Sequence, residues 1–163
     1  MRAVLQRVHR ASVSVEGTLV GEIGWGVLAL VAATHTDGEE DVATMARKIA
    51  ELRMLADDTS IQDTVNHGAA SRREPAPDGA AAPPAVLVVS QFTLYGTTKK
   101  GRRPSWSAAA PGDIAEPLVD AVAQALRDRG ISVATGIFGA QMDVCLVNDG
   151  PFTLIVDTSS ARA

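Results

Sequence analysis

The side chains that could attack an electrophile are few and poorly arranged for it. Ser90 sits in Val-Val-Ser-Gln-Phe, without the Gly-x-Ser-x-Gly elbow that presents the nucleophile of many serine hydrolases. The three histidines, His9, His35 and His67, lie in three different contexts. A Ser/His/Asp triad stays open only because its members need not be adjacent in sequence. Cys145, the sole cysteine, falls in Val144-Cys-Leu-Val147, where a buried, inert thiol is expected. No two histidines have ligand spacing and no cysteines cluster, so no metal site is expected. Gly96-Thr-Thr-Lys-Lys-Gly101 has the glycine spacing of a phosphate-binding P-loop. Arg102 and Arg103 stand where that motif needs Lys then Ser or Thr, and Pro104 opposes the helix that should follow.

Charge is more informative. The net charge is −4, which by itself argues against a polyanionic partner. Its distribution argues the other way. Residues 1–15 carry Arg2, Arg7 and Arg10 without an acid, and residues 86–110 carry Lys99, Lys100, Arg102 and Arg103 without an acid. These stretches sum to +7, so the remainder carries −11. That asymmetry suits a protein holding phosphates at one place, although a solvated basic loop reads the same way. Trp106, just after the loop, either stacks on a base or fills the core, and core packing is the expectation. Asn148-Asp-Gly-Pro-Phe-Thr153 is turn chemistry between strand-like runs and reads first as a tight hairpin. Gly150-Pro151 also admits a cis bond, which a glycine tolerates without steric conflict.

The elements that must position these residues follow from periodicity. Val4, Gln6 and Val8, then Val13 and Val15, alternate as in strands, with Gly17 at a turn. Gly26–Ala33 is a continuous apolar run suited to a strand buried on both faces. Asp37 and Glu40 have capping-box spacing ahead of Val42, Met45, Ala46, Ile49 and Leu52, which predicts a helix over 38–54. Residues 57–84 read as a break, with a flexible insertion over 64–84 ending in an Ala/Pro-rich tail. Val86–Val89 is a buried strand that delivers Ser90, Gln91 and Phe92 at its end. A second helix lies within 112–129, starting at Asp113 or nearer Pro117 and stopping at Gly130. Strands are expected near 131–136, 142–147 and 152–157. The fold class is α+β, a largely antiparallel sheet, barrel-like if it curls, covered by two helices in a single domain over 1–163. The absence of a long apolar run, a signal-peptide pattern and a disulfide pair makes the cytoplasm the simplest location.

Several segments together resemble the D-aminoacyl-tRNA deacylase family. They are Met1-Arg-Ala-Val-Leu-Gln-Arg-Val8, Gly21-Glu-Ile-Gly24, Ser90-Gln-Phe-Thr-Leu-Tyr95, Lys100-Gly-Arg-Arg-Pro-Ser105 and the run from Gly139 to Asp157. The resemblance runs nearly end to end. It implies hydrolysis of the ester of D-aminoacyl-tRNA, and of mischarged glycyl-tRNA, at the tRNA 3′ end. It also implies a homodimer with active sites at the subunit interface and no metal or organic cofactor. The family likeness makes Gly150-Pro151 a cis pair that reaches into the partner's site, where its carbonyls fill the space an L side chain would need. Arg7 would fix that pair.

Because the substrate resembled is an activated ester, water needs little beyond orientation and oxyanion stabilisation. Backbone N–H groups around Gln91 and Phe92 are the expected donors, with the terminal ribose hydroxyl assisting the water. Thr153 matches a family threonine and is expected to line the pocket, or to act chemically. Lys99, Lys100, Arg102 and Arg103 would contact tRNA phosphates. Phe152 departs from the smaller aliphatic residue the resemblance leads one to expect, and the 64–84 segment is longer than typical. Two rivals remain at this point: a non-catalytic RNA-binding module, and a small-ester hydrolase built on Ser90 and a histidine.

Overall fold

Strand β1 (Arg2–Val15) is the axis of the molecule. In the computed structural model, which describes residues 1–67, 82–99 and 102–159, β1 pairs antiparallel with β2 (Thr18–Ile23), β3 (Gly26–Ala32) and β6 (Met142–Asp157). Beyond β3, strand β4 (Ala85–Ser90) runs parallel to it, and β5 (Ser132–Thr135) runs parallel to β4. The α+β expectation holds, with a mixed sheet. Its parallel members are the strands reached through helical connections, as parallel pairing requires.

The sheet rolls nearly shut because β2 lies against β5. A Cβ at Gly21 would stand 2.5 Å from the Thr135 carbonyl oxygen, so the approach depends on a residue without a side chain. Outside the roll, α1 (Glu39–Glu51) and α3 (Gly112–Asp128) cover the sheet. They bury Met45, Ile49, Val122 and Leu126 against Leu5, Val27 and Val88. Inside it, Val8, Ala11, Val13, Leu28, Leu87 and Val89 form a second core.

The two cores explain β1. Ala3 and Leu5 belong to the helix-covered core, whereas Ala11 and Val13, at the same parity, belong to the interior one. A strand changes faces at constant parity only if a residue is inserted. The insertion is His9: Val8 pairs with Asn148 and Arg10 with Val147, so His9 has no opposite number on β6.

Five details differ from the sequence reading. The helices number three among the described residues, because α2 (Ile61–His67) lies in the stretch read as a break. It is started by a reciprocal cap in which Asp63 N–H donates to Ser60 Oγ and Ser60 N–H donates to Asp63, each at 3.0 Å. Of the insertion expected at 64–84, residues 64–67 are therefore helical, 82–84 lead into β4, and 68–81 lie outside the described residues. The cap of α1 is shifted by one residue: Gly38 N–H donates to Asp41 at 3.1 Å, while Asp37 accepts from Thr34 N–H. The strands expected at 142–147 and 152–157 are one strand, β6, so residues 148–153 form no hairpin. Cys145 is exposed on β6, because the neighbours that made it look buried alternate to the other face. Trp106 is not a core residue either; it is 39% exposed.

Candidate active site

Strand β4 ends by delivering Ser90 and Gln91 to the rim of an open cavity of ≈ 590 Å³. Ser90, Gln91 and Phe92 line one side of it, and Glu16 and the run Gly139–Val144 line the rest. The chain is held there by backbone. Gln91 N–H donates to the Val31 carbonyl at 2.8 Å, extending the β3–β4 ladder, and Gln91 O accepts from Leu94 N–H at 3.1 Å as a short 3₁₀ turn over Phe92–Tyr95 begins. The first N–H of such a turn has no carbonyl within the turn to bond. Of the expected oxyanion donors, the Gln91 N–H is thus already engaged, and the Phe92 N–H is the available one. The Gln91 side chain closes back on Thr93 Oγ1 at 2.5 Å.

No histidine serves Ser90. His9 stands 4.0 Å from Asp149 Oδ1, His35 bonds the Ser107 carbonyl at 3.2 Å, and His67 bonds the Asp63 carbonyl at 2.8 Å. The triad left open by sequence is not assembled. Among the described residues, no three His, Cys, Asp or Glu side chains gather as metal ligands.

The Gly150-Pro151 segment is built on different terms. Gln6 pairs with Thr153 and Val8 with Asn148. One residue of β1, Arg7, therefore stands opposite four of β6, Asp149 to Phe152, and the surplus bulges outward. The Gly150-Pro151 bond is cis, and both residues are exposed. Arg7, 13% exposed at its side chain, anchors the base of the bulge. It donates to the carbonyls of Asp149 at 3.2 Å, Gly150 at 3.3 Å and Met54 at 3.1 Å, and its Nε lies 2.8 Å from Asp149 Oδ2. Its guanidinium also lies 4.3 Å from the centre of the Phe152 ring. The unexpected aromatic at 152 thus has a role: it gives the arginine a face to rest on. Asn148 Nδ2 closes the far side by donating to the Arg7 carbonyl at 2.7 Å.

Within one chain these two halves do not meet. Arg7, Gly150, Pro151 and Thr153 are absent from the cavity wall that carries Ser90, Gln91 and Phe92. Thr153 is exposed and receives the Gln6 amide at 3.3 Å. Lys99, Arg102 and Arg103 are exposed in the loop beyond Tyr95, and Lys100 lies outside the described residues. Sequence reasoning missed Asp149, Asn148 and Phe152 as the frame of the bulge. It also missed Glu16 and Gly139–Val144, whose approach to Ser90 depends on the roll of the sheet and leaves no periodic signal.

Behind the 3₁₀ turn lies a polar clamp. Arg2 pairs with Asp157 at 2.7 Å, donates to the Leu94 carbonyl at 3.2 Å and covers the Tyr95 ring at 4.9 Å. Burial, reinforced by the carboxylates of Asp37 and Asp157, pushes the Tyr95 hydroxyl well above the usual phenol range. Burial alone would raise Asp157, but hydrogen bonds from Ser159 and Arg2 outweigh it and hold the carboxyl below its ordinary value.

The family model described as D-Tyr-tRNA(Tyr) deacylase matches residues 4–157. The D-aminoacyl-tRNA deacylase of Beutenbergia cavernae is 54% identical over 158 residues, covering 96% of this chain and 99% of its own. That of Chloroflexus aurantiacus is 53% identical, covering 99% and 93%. A solved structure titled c-Myc DNA Unwinding Element Binding Protein superposes with a TM-score of 0.78 at 32% identity, covering 96% of this chain and 98% of that one. A second, described as a probable eukaryotic D-amino acid tRNA deacylase, has a TM-score of 0.73 at 17% identity and shares the fold. With the match nearly end to end and more than half of the positions identical in these relatives, the chain belongs to the D-Tyr-tRNA(Tyr) deacylase family.

Proposed function

We propose that the chain, acting as one domain, hydrolyses the ester that joins a D-amino acid to the 3′ end of tRNA, and accepts glycyl-tRNA by the same route. The observation that carries this reading is a cavity whose reacting edge is backbone. Ser90, Gln91 and Phe92 present a strand end and an N–H donor, and among the described residues each histidine is engaged away from the serine. An aminoacyl ester is activated, and a positioned water with a stabilised oxyanion is sufficient chemistry for it. In this proposal Phe92 N–H receives the developing oxyanion, the ribose hydroxyl assists the water, and Ser90, Gln91 and Thr153 shape the pocket. Lys99, Lys100, Arg102 and Arg103 neutralise phosphates of the acceptor end.

The second half of the proposal concerns chirality and assembly. The Gly150-Pro151 bulge does not line its own cavity, and among the described residues β6 pairs with β1 alone and carries the exposed Val147, Leu154 and Ile155, the last 76% exposed. A second copy docked there would cover apolar surface and bring the bulge of one chain to the cavity of the other. The carbonyls of Gly150 and Pro151 would then occupy the space an L side chain requires, and glycine, lacking one, would pass.

The test uses one tRNA charged with D-tyrosine or L-tyrosine and follows release of labelled tyrosine, with a chelator control. Rapid loss of the D charge with the L charge retained is expected. Loss of both would keep the hydrolase and discard the filter; loss of neither, with tRNA still bound, would favour a binding module instead.

A further inference from the structure

Six aromatic side chains serve the whole molecule, and four of them, Trp25, Tyr95, Phe138 and Phe152, are at least partly buried. The two that are exposed touch each other. Phe92 is 56% exposed and Trp106 39%; their ring centres are 5.9 Å apart, set edge to face at 70°. Phe92 lines the cavity, so the pair extends its wall outward from the reacting edge.

Trp106 is held in that place. Thr97 and Ser105 exchange backbone hydrogen bonds at 2.7 and 3.2 Å, closing the neck of the basic loop immediately before it. A Cβ at Gly96 would stand 3.2 Å from the indole Nε1, so the bare backbone there lets the ring lie against the turn. Beyond the neck project Lys99, Arg102 and Arg103, and residues 86–110 contain no carboxylate side chain. An aromatic face beside an acid-free cluster of cations is the combination by which proteins hold an unpaired nucleotide: the ring stacks on the base and the cations meet the phosphate.

We infer that Trp106, braced by Phe92, is a stacking platform for an unpaired nucleobase at the RNA 3′ end, next to the ribose that carries the amino acid. The inference rests on the deacylase reading and deepens it, because it assigns a positioning residue that holds the RNA end while leaving the ester to the backbone N–H of Phe92. A platform of this kind is indifferent to which amino acid is attached.

The test has two arms. In the first, D-tyrosyl-tRNA hydrolysis is compared among wild type, Trp106→Ala and Trp106→Phe. Loss of one stacked base predicts a KM raised about tenfold in Trp106→Ala, with kcat within about twofold and recovery in Trp106→Phe. A fall in kcat at unchanged KM would overturn the inference, since it would make Trp106 a support for Phe92 alone. In the second arm, a Trp25→Phe background leaves Trp106 as the only indole, and its emission is followed while 5′-ACCA-3′ RNA is added. Quenching is expected, together with its loss when the 3′ nucleotide is abasic. Emission that ignores RNA but follows protein concentration would assign the pair to a contact between copies and overturn the platform. This arm does not depend on whether Trp106→Ala folds. If wild type fails to release tyrosine while RNA still quenches, the deacylase reading falls and the platform stands.

Discussion

The two candidate segments, Ser90–Phe92 and Asp149–Phe152, are held by opposite means. The first is a continuation of a buried strand, fixed by a backbone hydrogen bond to the Val31 carbonyl and by another within its own turn. The second is a surplus of chain expelled from the ladder and fixed chiefly by one side chain, Arg7, with Asn148 closing its far side. A site held by backbone tolerates changes of side chain, because the groups that do the positioning are present in every residue. A site held by a single guanidinium does not.

The sharpest way to break this contrast is Arg7→Ala. The carbonyls of Met54, Asp149 and Gly150 would lose their charged donor and the part-exposed Asp149 carboxylate its ion pair, a change expected to lower stability by about 2–3 kcal/mol and to raise hydrolysis of the L charge relative to the D charge. Chemical denaturation and the paired tyrosyl assay measure the two effects. Arg7→Lys, which keeps the charge but not the fork, should recover only part of either; full recovery would mean that charge, and not geometry, holds the bulge. Next in size, Ser90→Ala should reduce kcat/KM by no more than about tenfold, whereas loss of a true nucleophile would remove a factor of about 10⁴ or more. A loss of the larger size would restore the serine hydrolase reading.

Smaller effects sharpen the picture. Phe152→Val removes the ring beneath Arg7 and should cost about 1–2 kcal/mol from the cation–π contact and lost burial together, read as a lower urea midpoint with an unchanged slope. The least is expected of Asp157. Its folded pKa lies below 3.8, so its contribution is fully present above the unfolded value and is lost as pH falls through the folded one. Asp157→Asn should therefore lower stability at pH 7 by no more than about 1 kcal/mol, since the Arg2 pair is partly exposed, and should flatten the acid limb of a stability–pH profile below pH 3.8. An acid limb as steep as that of wild type would place the titrating group elsewhere.

How much of this was legible depended on whether a feature is local. The helix over 38–54, the strand ending at Ser90 and the acid-free loop follow from spacing and composition, which survive without tertiary context. Helix α2 could have been found from Ser60 and Asp63, whose cap spacing lay in a stretch dismissed for its weak apolar content. The hairpin expected at 148–153 failed for an instructive reason. Asn, Asp, Gly and Pro mark any place where chain departs from a ladder, and a bulge four residues long uses the same chemistry as a turn. What separates them is whether the strand afterwards rejoins the same partner, and β1 is more than 130 residues away in sequence. Trp106 misled because large aromatics usually fill cores. Exposure is decided by what the fold leaves uncovered, and no window around residue 106 carries that information.

The seam between β2 and β5 has a consequence for the dimensions of the cavity. The chain leaving β5 passes through Gly136 and turns back as the Gly139–Val144 wall, while Glu16, just ahead of β2, stands beside that wall because Val15 pairs with Met142. Both segments are therefore attached to the two edges that Gly21 allows to come together. A rolled sheet of this kind acts as a caliper, its jaws set by how far the roll closes. One methyl group at position 21, lining nothing and touching no substrate, would reset the gauge of a pocket it never enters.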